Sequence, residues 1–213
     1  MKIYRPNDNN QNESEKNLLL SLIYNNLPLK DKYSKLIEAY SEIKLTPGGI
    51  NAILESLIDE LGGTIRFPRV GDNNERFDAI IEFEEYICLT EIEIPSTTIL
   101  DAPRNLLDNY AVAISRHNIK YKPIVLLVIC WDVPNKRTDY WNVVTDINSI
   151  LNLKIKTISI PALALHYWSK TPIDLKADYY LDADNQKMIN TINILDSLNL
   201  PENLSLGYLE PIK

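Results

Sequence analysis

The stretch between residues 76 and 94 constrains the fold of this 213-residue chain more than any other. Two segments in it, Phe77–Phe83 and Tyr86–Ile94, mix apolar and β-branched residues in the manner of β-strands. They are separated only by Glu84 and Glu85, so we predict two strands joined by a tight acidic turn. Strands that follow each other this closely pair antiparallel, and the rest of the chain has to be arranged around them.

Acidic residues collect at one end of this predicted hairpin. Side chains alternate between the two faces of a strand, so Leu89, Glu91 and Glu93 share one face, with the two glutamates about 6.7 Å apart along the backbone. We expect Asp78, near the start of the preceding strand, to meet them across the hairpin. Two unit charges about 4 Å apart repel by about 4 kcal/mol at an effective dielectric of 20. Such acids either turn into water or hold a hard divalent cation together.

Two interpretations of this pattern remain open. A half-solvated antiparallel strand alternates polar and apolar residues for no functional reason. However, Ile87 and Leu89 precede the glutamates on the same face, so that face changes from apolar to acidic along the strand. A site at the mouth of the sheet accounts for this change, whereas a solvated face would be polar throughout.

The net charge of −7 by itself argues against a nucleic-acid partner, but the charge is unevenly distributed along the chain. Residues 47–101 hold twelve acids and three bases, whereas residues 102–140 hold six bases and three acids. Bound cations would offset part of the first excess, and the second segment could meet phosphates. DNA therefore remains a possible partner.

Composition and length indicate a globular α/β protein. With 45% hydrophobic residues, the chain can bury a sizeable core. Its start does not resemble a signal peptide, and the longest apolar run, Ile124–Trp131, is too short to span a bilayer. We therefore expect a soluble, cytoplasmic protein with no membrane partner, in which Cys88 and Cys130 are buried thiols.

The predicted elements define an N-terminal helical extension over residues 1–46 and an α/β domain over residues 47–213. Thr46 and Pro47 are typical of a helix start, and Gly62-Gly63 of a helix end. In the extension we predict a loop over 7–14 and helices over 15–25 and 31–43. In the domain we predict helices over 47–61, 102–116, 139–151, 161–170 and 184–198, and strands over 64–70, 77–83, 86–94, 124–130 and 154–160. This order favours a mixed central sheet flanked by helices.

The order of elements over residues 47–131, with Asp78 on the second strand and Glu91-Ile92-Glu93 on the third, resembles the PD-(D/E)XK nuclease superfamily. That group includes restriction endonucleases and archaeal Holliday-junction resolvases. The resemblance implies a restriction-endonuclease-like αβββαβ core and a metal-dependent DNA endonuclease that acts on branched or structured DNA. It also implies that Asp78, Glu91 and the backbone carbonyl of Ile92 bind Mg²⁺ or Mn²⁺.

The chain departs from the family pattern at one of these positions. The family usually has Lys where Glu93 stands, although some restriction endonucleases have Glu there. Glu93 is therefore predicted to bind a second metal ion or to orient the attacking water as a general base. The resolvases also have a Glu on the first helix, about where Asn51 falls, and Glu55 is the nearest acid. Arg104, at the start of the helix that follows, could contact a phosphate or serve only as a helix-surface cation.

Further expectations concern partners and origin. Cutting both strands of a duplex calls for two sites, so we expect a homodimer. The aromatic residues of the C-terminal half pack either a dimer interface or the domain core (Trp131, Tyr140, Trp141, Tyr167, Trp168, Tyr179, Tyr180). The composition resembles proteins of spindle-shaped archaeal viruses, which would place the protein in the host cytoplasm. Two alternative functions are also consistent with the sequence. One is a nuclease-fold protein that binds nucleic acid without cutting it, and the other is a protein-interaction module whose acidic hairpin is a solvated edge.

Overall fold

The computed structural model describes residues 10–42, 46–68, 77–94, 98–116, 119, 121–134 and 138–176. Its sheet has five strands in the order β1-β2-β3-β4-β5, where β1 is Thr64–Arg66, β2 Ala79–Glu82, β3 Ile87–Glu93, β4 Ile124–Cys130 and β5 Ile155–Ser159. The first three strands pair antiparallel, and β3, β4 and β5 pair parallel. The predicted mixed sheet flanked by helices is confirmed.

Six helices surround the sheet within the described part of the chain: α1 Asn10–Ile23, α2 Leu29–Glu42, α3 Pro47–Glu60, α4 Ala102–Ser115, α5 Asp139–Leu151 and α6 Ile160–Ser169. From α3 to β4 the order is αβββαβ, as expected for a restriction-endonuclease-like core. The disordered or loop segment predicted over residues 7–14 is wrong from Asn10 onward, because this polar stretch contains good helix formers, Gln and Glu. The helix predicted over 184–198 lies outside the described residues.

Three hydrogen bonds of Thr46 fix the start of α3. Thr46 is the N-cap, as predicted, and its Oγ1 accepts a hydrogen bond from the backbone N–H of Gly49 at 3.3 Å. Glu15 of α1 accepts from the Thr46 backbone N–H at 2.7 Å and from the Thr46 hydroxyl at 2.5 Å. Helix α1 is thereby attached to the first turn of α3.

The core is continuous from the N-terminal helices to the sheet. Residues of α1 and α2 belong to the same hydrophobic cluster as the strands (Leu19, Ile23, Tyr33, Leu36). Helix α4 packs against β3 and β4 and contacts α5, whereas α3 contacts β1 and α6. Among the described residues, no helix is both long and apolar enough to cross a membrane.

Three of the C-terminal aromatic residues and both cysteines are buried. Trp131, Tyr140 and Trp141 are buried and close the core, whereas Tyr179 and Tyr180 lie outside the described residues. Both cysteines are free and buried, as predicted. They lie on neighbouring strands, but Cys88 pairs in register with Val125, and Cys130 with Glu93, five residues further along β3. That offset separates the two thiols.

Candidate functional site

The register of β2 and β3 places Asp78 beside Glu91. Ala79 pairs with Thr90, so the residue before Ala79 falls opposite the residue after Thr90. The backbone N–H of Asp78 donates to the Thr90 carbonyl at 3.2 Å, and its Oδ2 accepts from the Ile92 backbone N–H at 2.8 Å. The two acids lie close enough that the Asp78 carboxylate contributes to raising the pKa of Glu91. Asp78 and Glu91 therefore share one end of the sheet.

Glu91 is buried beneath helix α4. Its side chain is 5% exposed, and its Oε1 accepts a hydrogen bond from the Asn109 side-chain amide. The pKa of Glu91 is raised to about 8, first by burial and then by repulsion from Asp78 and Glu93. This value already includes the opposing effect of the Asn105 and Asn109 amides. The carboxyl is therefore mostly protonated at neutral pH unless a cation binds beside it.

Glu93 occupies a second buried position on the same strand. It is 7% exposed, and its Oε2 accepts from the Thr98 hydroxyl at 2.6 Å. Burial raises its pKa, the Thr98 hydrogen bond lowers it, and the Asp78 and Asp101 carboxylates raise it. The interpretation of β3 as a half-solvated strand is wrong, because both glutamates are buried.

The charge of Asp78 and Glu91 is not balanced by a side chain in the described ranges. Asp78 is partly open to solvent, yet the loss of water around its carboxylate raises its pKa, which the Ile92 N–H opposes. No described Lys or Arg forms an ion pair with either acid. A proton or a bound cation would offset this charge.

The donor chemistry of this site suits a hard divalent cation, although the predicted trio of carboxylates does not form one cluster. Among the described residues, no group of three or more His, Cys, Asp or Glu side chains is placed to hold a metal ion. Each of the three carboxylates accepts a hydrogen bond from a different residue: Ile92, Asn109 or Thr98. The predicted metal ligands, Asp78, Glu91 and the Ile92 carbonyl, do not include a third acid. All three provide oxygen ligands, which Mg²⁺ and Mn²⁺ prefer.

A groove of about 290 Å³ lies beside Asp78. Residues of α3, the end of β1 and the two acidic strands line it (Pro47, Ile50, Asn51, Phe67, Pro68, Asp78, Ile92, Ile94). Asn51 thus shares the groove with Asp78, whereas Glu55, one turn further along α3, is not among its lining residues. Of the two predicted supporting residues on α3, Asn51 therefore lies at the site, and Glu55 does not line the groove.

Arg104 lies on the solvent side of α4. Its guanidinium is 3.7 Å from Asp101 Oδ1 and 3.6 Å from Asp139 Oδ2, and all three side chains are more than half exposed. These contacts are those of a helix-surface cation, the alternative considered for this residue. The predicted phosphate contact stays a prediction.

Sequence reasoning assigned no hydrogen-bond donor to either glutamate. Asn105 and Asn109 are spaced i, i+4 on α4, which places them on one helix face toward Glu91. An Asn pair at this spacing on the helix that follows an acidic strand is the signal that could have identified them. Thr98 has no comparable signal, because its contact with Glu93 depends on the path of the connection after β3.

Comparisons with known proteins add little. No known protein family matches the chain, and no curated protein matches it significantly. Among solved structures, the restriction endonuclease FokI is similar, with a TM-score of 0.45 and 14% sequence identity over 83% of this chain and 34% of that chain. The chain therefore spans about a third of the length of that protein. No conclusion about the site rests on this likeness.

Proposed function

We propose that this protein is a metal-dependent DNA endonuclease that hydrolyses phosphodiester bonds. The observation that carries the proposal is the pairing of Asp78 and Glu91 on adjacent strands, with no described cation to balance them and a groove beside them. Their oxygens and the Ile92 carbonyl suit Mg²⁺ or Mn²⁺. The substrate would be DNA, with branched or structured forms as candidates, and two copies of the chain would cut the two strands.

Each polar residue of the site has a role in this proposal. A bound divalent ion supplies charge stabilisation at the phosphate and lowers the pKa of a coordinated water. Asp78 and Glu91 would hold the ion, and Asn109 orients Glu91 through its amide. Glu93, whose pKa is raised by burial, would be a stronger base than an exposed carboxylate and could accept a proton from the attacking water. Asn51, which lines the groove, would offer a neutral amide to a phosphate bound there.

A second candidate, a nuclease-fold protein that binds nucleic acid without cutting it, is favoured by two observations. Glu93 stands where the family usually has Lys, and all three carboxylates already accept hydrogen bonds from this chain. In this case the acids would be structural. The third candidate, a solvated acidic edge, conflicts with the burial of Glu91 and Glu93.

The test is cleavage of labelled linear, flapped and four-way DNA in Mg²⁺ or Mn²⁺. Wild-type protein should cut at least one substrate, and Asp78→Asn and Glu91→Gln should cut no more than a sample without protein. Glu84→Gln is the matched control, because Glu84 is an exposed acid in the turn of the same hairpin. It should cut as the wild type does.

Each alternative has a distinct outcome. Cutting at the wild-type rate by Asp78→Asn or Glu91→Gln would remove that residue from the mechanism. Salt-dependent DNA binding with no cleavage in either metal would support the second candidate and overturn the first. Absence of both binding and cleavage would overturn both.

A further inference from the structure

A second cavity, of about 490 Å³, lies between the α1–α2 connection, the end of α3 and the end of α6. It shares no lining residue with the groove beside Asp78. Its volume falls within the range of about 300 to 1,000 Å³ that is usual for pockets that bind small molecules. The proposed nuclease site does not use it.

One wall of this cavity is aromatic. The rings of Tyr24 and Tyr167 meet edge to face, with centroids 6.0 Å apart and planes at 76°. The indole N–H of Trp168 donates to the Ile23 carbonyl at 2.8 Å, which fixes the ring in the wall. Tyr24 is 46% exposed, and Tyr167 and Trp168 are half-buried, so part of each ring surface is open to solvent. Such a wall can stack against a flat π-system.

The charged residues beside this wall favour an anion. The Lys32 ammonium lies 5.9 Å from the centroid of the Trp168 ring, and Lys170 is exposed in the left-handed turn that ends α6. Glu60 is the one acid among the described lining residues, and it contributes to raising the pKa of the Tyr24 hydroxyl, after the larger effect of burial. The described lining therefore carries two cations and one acid, in a protein whose net charge is −7.

We propose that this cavity binds a nucleotide, either free or as an unpaired residue of a nucleic-acid strand. The base stacks on the aromatic wall, and the phosphate lies beside Lys32 and Lys170. A planar π-system that carries negative charge matches both features, and stacking on aromatic side chains beside cations is how proteins hold unpaired bases. This inference goes beyond the proposed nuclease, because binding here requires neither a divalent metal nor the carboxylates.

Tryptophan fluorescence provides a direct readout. Trp131 and Trp141 are only 2% and 3% exposed, so quenching by a stacked base reports on Trp168. The full-length protein is titrated in EDTA with AMP in one arm and a 5′-phosphorylated single-stranded oligothymidine in the other. We expect saturable quenching in at least one arm. Tighter binding of the oligonucleotide identifies a strand as the ligand, and equal or tighter binding of AMP identifies a free nucleotide.

Variants separate binding in this cavity from general charge attraction. Lys32→Gln and Lys170→Asn should each weaken binding about fivefold, as expected for the loss of one exposed ion pair. Asn tolerates the left-handed conformation at position 170, where φ is 55°. Lys35→Gln, at an exposed position on α2, is the matched control and should change the affinity less than about twofold.

The aromatic wall has its own variant. Trp168→Phe should bind the ligand in calorimetry without the quenching signal, because the buried tryptophans do not report it. Thermal melting checks that each variant is folded. No saturable quenching with either ligand, or unchanged affinity in both Lys32→Gln and Lys170→Asn, would overturn the proposal. Because the titration contains no metal, its result does not depend on whether the protein cuts DNA.

Discussion

The side-chain amide of Asn109, on α4, donates a hydrogen bond to Oε1 of Glu91, on β3. Both side chains are buried, at 3% and 5% exposure. The helix that follows the acidic strand therefore returns across it and supplies the donor that a buried carboxylate requires. This contact couples the packing of α4 to the orientation of the proposed metal ligand.

The first prediction concerns this contact. Asn109→Ala should lower the free energy of unfolding by about 1 to 3 kcal/mol, because it leaves a buried acceptor without its donor. Urea denaturation at pH 7 measures the loss. The same substitution in a Glu91→Leu background should cost less, because the acceptor is already absent. An equal cost in both backgrounds would mean that Asn109 stabilises α4 independently of Glu91.

The second prediction concerns pH. The pKa of Glu91 is raised from 4.5 to about 8, so between these values the folded protein holds a proton that the unfolded chain has released. The free energy of unfolding should therefore fall as pH rises through this window, by at most about 1.4 kcal/mol per pH unit from this group. The stabilisation is fully present below pH 4.5 and is lost as pH rises through about 8.

Denaturation in EDTA between pH 5 and pH 8.5 checks this slope. Glu91→Gln should flatten the curve, because the amide does not titrate in this range. Glu84→Gln should keep the wild-type slope, since Glu84 is exposed. If Glu91→Gln retains the full slope, then Glu91 is not the group responsible.

The third prediction concerns the attachment of α1 to α3. A Cβ added at Gly49 would lie 2.7 Å from Glu15 Oε1, so Gly49→Ala must displace the carboxylate that holds Thr46. We expect Glu15→Ala to destabilise the fold by about 1 kcal/mol, as for the loss of a helix cap, and Gly49→Ala to cost less, because the higher helix propensity of Ala offsets part of the loss. Thermal denaturation of both single variants and of the double variant forms the test. Because both act on the same contact, the double variant should cost less than the sum, and full additivity would contradict this account.

Local patterns in the sequence were sufficient for the main elements. The unbroken apolar run at Ile124–Cys130 predicts a strand covered on both faces, and β4 has these bounds. The N-cap at Thr46 and the proximity of Asp78 and Glu91 also follow from local rules, namely capping chemistry and the alternation of side chains along strands. Each of these rules spans only a few residues or one tight hairpin.

Contacts that join distant segments could not be predicted in this way. Glu15 lies 31 residues before Thr46, and the contact between Glu91 and Asn109 depends on how α4 crosses β3. The separate hydrogen bonds of Asp78, Glu91 and Glu93 have the same origin, because each carboxylate turns to a donor that the tertiary structure supplies. For this reason alternation along the strand located the acids but overestimated how closely their carboxylates gather.

The central claim is that Asp78 and Glu91 together hold a divalent cation, and titration with Mn²⁺ followed by electron paramagnetic resonance tests it most directly. The wild-type protein and Glu84→Gln are predicted to bind Mn²⁺ with the same affinity, whereas Asp78→Asn and Glu91→Gln are predicted to lose that binding, because each removes a charged oxygen ligand. Failure of the wild type to bind Mn²⁺, or binding of wild-type affinity in either site variant, would contradict the account.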